Sequence, residues 1–359
     1  MEVPVSIKDE RLKVKVLFLT PWYPSEKDAM SGLFVQKHVE AVRAQGVDVR
    51  VIFSQTWRDT WRQWKALYRS GWIPDVTQLN VIQKQGLLAL WLKKRYGIPY
   101  VIIEHWTGYL PENASIKANS PHTWFMKRVC REAEVVMPVS LYLQQSMQAL
   151  GFQAKQWQLI DNVVDDFFFE ERQKTASHKE ERQKILLHVS CFDEPHKNVK
   201  GLLRAAKMLS EKRQDWRLVI VGTGVDYEEV RSYAQTLDIP EGVLEWTGEL
   251  TPHEVAEWMH KADAMVLSSR YETYGVVLAE AAAAGLPILS TPVGIAQEVA
   301  TLIVPQEIAQ NKAGTFAEFM ETILFKNNRL AVQDNRNQFT AETIGKKLTG
   351  IYAQCTGLE

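Results

Sequence analysis

Short apolar runs of strand length recur along this chain with helix-forming stretches between them, lapse once, and then resume. The runs at residues 14–19, 47–53, 98–103 and 133–137 come first, and residues 33–44 between two of them carry Phe34, Val35, His38, Val39 and Val42 at helical spacing. Strands that alternate with helices build a parallel sheet, because each crossover must return the chain to the end it left. The pattern lapses over residues 167–184, where three phenylalanines lead into a charged stretch, and resumes at residues 185–190, 217–221 and 264–267. With 359 residues, the expectation is two α/β domains, residues 1–168 and 185–340, facing each other across a cleft. A last helix follows over residues 341–359, with Ile344, Leu348, Ile351 and Tyr352 on one face.

Chemistry concentrates after the run at residues 264–267. A polar loop, residues 268–274, ends at Gly275, and Val276 to Ala284 is an alanine-rich run without a breaker until Gly285 and Pro287. This reads as strand, loop and helix N-terminus, and ligands of such sheets collect at the carboxyl ends of the strands. The free N–H groups at Gly275, Val276 and Val277, with the positive end of the helix dipole, suit a diphosphate. Glu280, one turn into the helix, can accept two hydrogen bonds from a vicinal diol such as a ribose. Glu272, outside the helix, can reach hydroxyls of whatever the phosphate carries. Taken singly, the two glutamates are ordinary solvated charges and the alanines ordinary close packing; their joint occurrence with Gly275 and the Ala284-Gly285-Leu286-Pro287 tail points to a site.

This segment resembles the C-terminal signature of retaining GT-B glycosyltransferases of family four, and the similarity runs from about Val14 to Tyr352. The resemblance implies two Rossmann-like, doubly wound domains and a final helix that crosses back to the first. It implies a nucleoside diphosphate sugar of UDP or GDP type as donor substrate, with no metal and no cofactor. Glu272 then contacts the donor sugar and Glu280 the ribose, with Tyr274, Gly275 and Val276 in the donor site. Thr291-Pro292-Val293-Gly294 and Glu298 fit the family's next element, although Ile295 replaces a glycine usual there.

The same resemblance assigns further residues. Gly32, before the first helix, matches a glycine loop against the donor phosphate; by itself it is equally an ordinary turn glycine. His105, in Glu104-His105-Trp106 at a strand end, matches a histidine near the transferred sugar, and Glu104 is a second candidate beside it. Lys197 matches the lysine of an Arg–Lys pair that neutralises the leaving diphosphate. The arginine has no counterpart, since Cys191 or Phe192 stands there, which leaves His196, Lys200 and Arg270 as substitutes. Gly222 and Gly248 border the nucleotide pocket. Gly222-Thr223-Gly224 alone would suggest a dinucleotide fingerprint, but Tyr227 stands at its third glycine. Asp161-Asn162-Val163-Val164-Asp165 resembles the family's hinge, with Asp161 in place of a proline. The catalytic set expected is therefore His105, Lys197 and Glu272.

The implied reaction is retaining transfer of a sugar to a hydroxyl of a glycan or lipid-linked acceptor, with the leaving phosphate helping to deprotonate the acceptor. Residues 104–109 and the hinge are most similar to bacterial enzymes of capsule, lipopolysaccharide or other surface-glycan synthesis. Two other readings stay open: an inactive, nucleotide-sugar-binding relative, favoured by the missing arginine, and a GT-B sugar-nucleotide epimerase.

Composition narrows the partners. A formal net charge of −1 supplies no general attraction to nucleic acid. Cys130, Cys191 and Cys355 lack disulfide or metal spacing, and residues 1–15 hold no signal-peptide core, so a cytoplasmic location is expected. Trp57, Trp61, Trp64 and Tyr68 recur at helical spacing among Arg58, Arg62, Lys65 and Arg69. Such a stripe is core packing, a basic aromatic face that meets a lipid-linked acceptor or makes a peripheral contact with the inner face of a membrane through Trp57, Trp61 and Trp64, or a surface that stacks on a sugar ring.

Overall fold

The computed structural model describes residues 14–26, 28, 30–113, 115–117, 120–170, 183–326 and 336–357. Most of the charged stretch read as a linker, and nearly all of residues 1–15, lie outside them.

The alternation produces two parallel sheets. The first holds β1 (Lys15–Thr20), β2 (Asp48–Phe53), β3 (Val76–Asn80), β4 (Tyr100–Glu104) and β5 (Val136–Pro138) in the order β2-β1-β3-β4-β5. The second holds β6 (Lys184–Val189), β7 (Trp216–Val221), β8 (Leu244–Gly248), β9 (Ala264–Leu267), β10 (Ile288–Ser290) and β11 (Leu302–Ile303) in the order β11-β10-β9-β6-β7-β8. Every pairing is parallel. Helices cover both faces, which is why Val16 to Leu19 in β1 and Met265 to Leu267 in β9 read as unbroken apolar runs and are buried. In each sheet the strand order reverses once, between β1 and β3 and between β6 and β9, and those are the places where loops splay apart and leave a crevice.

β3 escapes sequence reading because its side chains are polar, yet Thr77, Gln78 and Asn80 are fully buried. Gln78 is satisfied on both atoms: its Nε2 donates to Asn80 Oδ1 at 3.2 Å, and the Tyr352 hydroxyl donates to its Oε1. Tyr352 belongs to helix Ala341–Thr356, which packs on helix Leu33–Ala44 of the first half and on β3. The two helices come close because Gly345 has no side chain; a Cβ there would stand 2.5 Å from the Ala41 carbonyl oxygen.

Packing takes up part of the aromatic stripe, and nothing among the described residues supports a membrane face through Trp57, Trp61 and Trp64. Trp64 is 2% exposed. Trp61 meets Trp91 of helix Gly86–Tyr96 edge-on at 4.8 Å, and Trp57 stacks on Trp61 at 5.3 Å. Helix Trp57–Arg69 thus buries Trp64 and packs Trp61 against its neighbour, while Trp57 and Tyr68 stay exposed beside its basic residues. Among the described residues no helix is long and apolar enough to cross a membrane.

Candidate active site

The second switch point brings together residues far apart in sequence. Lys197 lies in the short helix Glu194–Lys197 after β6, and Glu272 in the loop after β9; because β6 and β9 pair directly, the two loops leave the sheet side by side. Lys197 Nζ stands 2.5 Å from Glu272 Oε1, and Ser269 Oγ donates to the same oxygen at 2.9 Å. Burial pulls the Lys197 ammonium down, but Glu272 outweighs it, helped by Cys191 and Asp193, and holds Lys197 above the ordinary lysine range. The lysine is therefore a fixed positive charge at neutral pH.

Helix Val276–Ala283 begins at Gly275, whose φ of 78° turns the chain out of the loop. Among the described residues no acceptor serves the N–H groups of Gly275, Val276 and Val277, so they point outward with the positive end of the helix. Glu280 sits part-buried on this helix, and its carboxylate accepts no hydrogen bond among the described residues. Burial pushes its carboxyl up to about 7, with Lys37 pulling it down and Asp165 adding to the rise. Lys37, on helix Leu33–Ala44, pairs with Asp165 at 2.8 Å, so the helix of the first half flanks Glu280.

Gly32 caps that same helix with φ 70°, and a Cβ on it would stand 2.4 Å from the Trp22 carbonyl, so only glycine fits. Gly222 and Gly248 lie at the ends of β7 and β8, where the Gly222 N–H donates to the Gly248 carbonyl at 2.8 Å. Both border the region before Trp246, Tyr227 and Phe192, whose rings cluster within 6.0 Å of one another.

Tyr274 departs from the expected donor contact. Its side chain is 3% exposed and its hydroxyl donates to Asp161 Oδ1 at 3.4 Å, so it ties the loop to the hinge segment instead of facing a ligand. The candidates for a second cation are likewise committed. His196 Nδ1 stands 2.8 Å from Asp193, Lys200 pairs with Glu229, and Arg270 donates to the carbonyls of Glu194 and Pro195 and to Asn198 Oδ1. Arg270 shapes the turn that presents Lys197.

His105 emerges from the end of β4, buried, with its ring 4.2 Å from Phe34 and 6.1 Å from His38. Its Nε2 is buried and has no hydrogen-bond partner. His188 makes the contrast: both its nitrogens are bonded, to the Val266 carbonyl and to Ser190, as a structural histidine requires. Burial, and then His38, keep the His105 imidazole well below its usual titration range, so it is neutral. Glu104 faces inward, with no exposed surface.

Sequence reading missed the contacts between the halves. Ser140 caps helix Leu141–Ala149 and also donates to the Thr273 carbonyl at 2.5 Å, next to Glu272. The Leu141 N–H meets Glu298 Oε1 at 3.5 Å. A serine before a helix signals a cap and nothing more, so its second bond had no sequence signal.

Comparison with known proteins bears on the family and the fold. Residues 169–339 match the family model described as glycosyl transferases group 1, and residues 11–162 match the glycosyl transferase 4-like domain. N-acetyl-alpha-D-glucosaminyl L-malate synthase of Bacillus anthracis is 34% identical over 173 residues, 47% of this chain and 44% of that protein. The chain spans about half the length of the curated relatives it matches. Among solved structures, sucrose-phosphate synthase of Thermosynechococcus elongatus superimposes with a TM-score of 0.71 at 18% identity, over 97% of this chain and 100% of that one. Anabaena Alr3699/HepE, solved in complex with UDP-glucose, gives 0.63 at 17% identity over 96% and 98%.

Proposed function

We propose, on the premise that both halves of this chain are those of a GT-B glycosyltransferase of family four, that it moves a sugar from a nucleoside diphosphate donor to a hydroxyl acceptor with retention at the anomeric carbon. One observation carries the reading: at the β6/β9 switch point the Lys197–Glu272 pair adjoins the unserved N–H groups of Gly275 to Val277 and the unbonded carboxylate of Glu280. A diphosphate needs donors and positive charge, a ribose needs a paired acceptor, and a sugar needs a carboxylate that reaches outward; the site offers each in that order. Catalysis is then positioning and charge stabilisation. Lys197 and the helix N-terminus hold the leaving phosphates, Glu280 the ribose, Glu272 the sugar, and the neutral His105 accepts from or donates to a sugar hydroxyl. The acceptor enters from the first sheet's side of the cleft and loses its proton to the leaving phosphate on the same face. A glycan or lipid-linked acceptor of surface-glycan synthesis fits the family likeness.

A second reading has its own observation. Cys191 and Phe192 stand where the family's arginine is expected, which leaves Lys197 as the matched cation for the diphosphate, as in a subunit that binds donor without transferring it. Thermal stabilisation by UDP, GDP and ADP and their sugar conjugates tests the first step. One nucleotide is expected to raise the melting temperature by several degrees, about 2.7 kcal/mol at a hundred times its dissociation constant, in the wild type and not in Glu280→Ala. The absence of any shift defeats the donor site, and binding without turnover against acceptor extracts favours the second reading.

A further inference from the structure

Glu104 is fully buried at the end of β4, where an unpaired carboxylate is strongly disfavoured. Among the described residues no cation pairs with it; four hydrogen-bond donors take that place. Oε1 accepts from the N–H groups of His105 and Trp106, each at 3.0 Å, and Oε2 accepts from the Ile82 N–H at 3.0 Å and the Tyr109 hydroxyl at 2.9 Å. All four partners donate, so the acceptor-only, ionised form is the one this pocket fits.

The bond to Ile82 has a visible counterpart in the backbone. Val81, immediately before it, has φ 69° with its side chain fully buried, a conformation that a β-branched residue rarely adopts. A turn of that kind persists only where its surroundings hold it. Here the Val81 N–H is held by the Ile103 carbonyl and the next N–H by Glu104. One carboxylate therefore ties the loop that leaves β3 to the loop that leaves β4, and the second loop begins with His105, whose Nε2 is buried and unpartnered.

We propose that Glu104 is a positioning residue: its carboxylate clasps the two loops and thereby sets the direction in which the His105 imidazole meets the transferred sugar. The proposal rests on the donor reading above for what His105 touches, and on the clasp alone for how His105 is held.

The test compares affinities for nucleotides and their sugar conjugates (UDP, UDP-glucose, UDP-N-acetylglucosamine, GDP and GDP-mannose) by calorimetry on the wild type, Glu104→Gln, His105→Ala and the double variant. The ratio of conjugate to nucleotide affinity isolates the sugar's contacts. Glu104→Gln and His105→Ala are each expected to lower it roughly tenfold, the double variant no further than His105→Ala alone, with nucleotide affinity unchanged. A Glu104→Gln protein that only melts earlier and keeps the ratio, or losses that multiply in the double variant, overturns the proposal. If no nucleotide binds the wild type, the donor reading fails by itself. The clasp is then decided by the His105 ring 15N signals, which must move in Glu104→Gln and overturn the proposal if they stay. Should Glu104→Gln not fold, Tyr109→Phe removes a single donor and is expected to act in the same direction, more weakly.

Discussion

Lys197 and Glu272 lie 75 residues apart in sequence, and their ammonium and carboxylate stand 2.5 Å apart in the fold. The pairing is a product of topology. Two strands that are third-nearest in chain order, β6 and β9, are adjacent in the sheet, and each sends one charged loop to the same end. The pair also explains how a mostly buried lysine keeps its charge until a diphosphate competes for it.

Lys197→Ala should lower the single-turnover transfer rate by roughly 100- to 1,000-fold, the usual loss for one fixed transition-state donor, and weaken nucleotide binding much less. Rapid-quench assay with saturating donor measures it. A rate within threefold of the wild type would remove Lys197 from the reaction.

Glu280 should make both binding and stability depend on pH, with opposite signs. Its carboxyl is raised from an ordinary 4.5 to about 7, so the folded state holds this proton more tightly than the unfolded chain does. Stability of the free protein therefore declines as pH rises from about 4.5 to about 7, by up to about 3 kcal/mol, and is level beyond. The ionised form accepts from a ribose diol at both oxygens and more strongly than the protonated form does, so nucleotide affinity rises over the same range. Glu280→Gln should flatten both curves, and the difference between variant and wild type separates Glu280 from titration of the phosphate itself. Parallel curves for the two proteins would contradict the assignment.

Gly32→Ala should destabilise by at least about 2 kcal/mol, because the new methyl group would meet the Trp22 carbonyl at 2.4 Å with the backbone already at φ 70°. Urea denaturation reads this directly. An unchanged midpoint would mean that the loop after β1 shifts without penalty.

Trp64→Ala should cost about 3–5 kcal/mol and Trp57→Ala under about 1, since the first ring is 2% exposed and the second 39%. Equal losses at the two positions would restore the idea that the stripe is a surface device.

Sequence reading recovers what is periodic and what is locally punctuated. The runs that become β1, β2, β4, β6, β7 and β9 are dominated by apolar residues, and Gly275 marks the start of its helix as glycine does at a forced turn. It fails where a side chain's role depends on a distant neighbour. β3 looks like a loop because the partner that makes its buried Gln78 tolerable, Tyr352, lies far along the chain. Arg270 looks like a second phosphate ligand until its guanidinium is seen on the Glu194 and Pro195 carbonyls. Tyr274 sits inside the signature, yet its hydroxyl serves Asp161. Glu104 reads as one member of a polar pair, and its four donors come from both sides of it in the chain.

Helix Ala341–Thr356, which covers helix Leu33–Ala44 and bonds Gln78, makes the first half of the molecule discontinuous in sequence. During synthesis a nascent chain usually folds its N-terminal domain while the rest is still being made. Here the ribosome must pass helix Ala341–Thr356 before helix Leu33–Ala44 and β3 can be covered, so the first sheet waits, partly uncovered, for residues made long after it. Chaperone demand should therefore track translation of that helix: chains stalled after Phe339 should stay protease-sensitive in both halves, and protection of the second half alone from that point would be expected only if it folds without its neighbour.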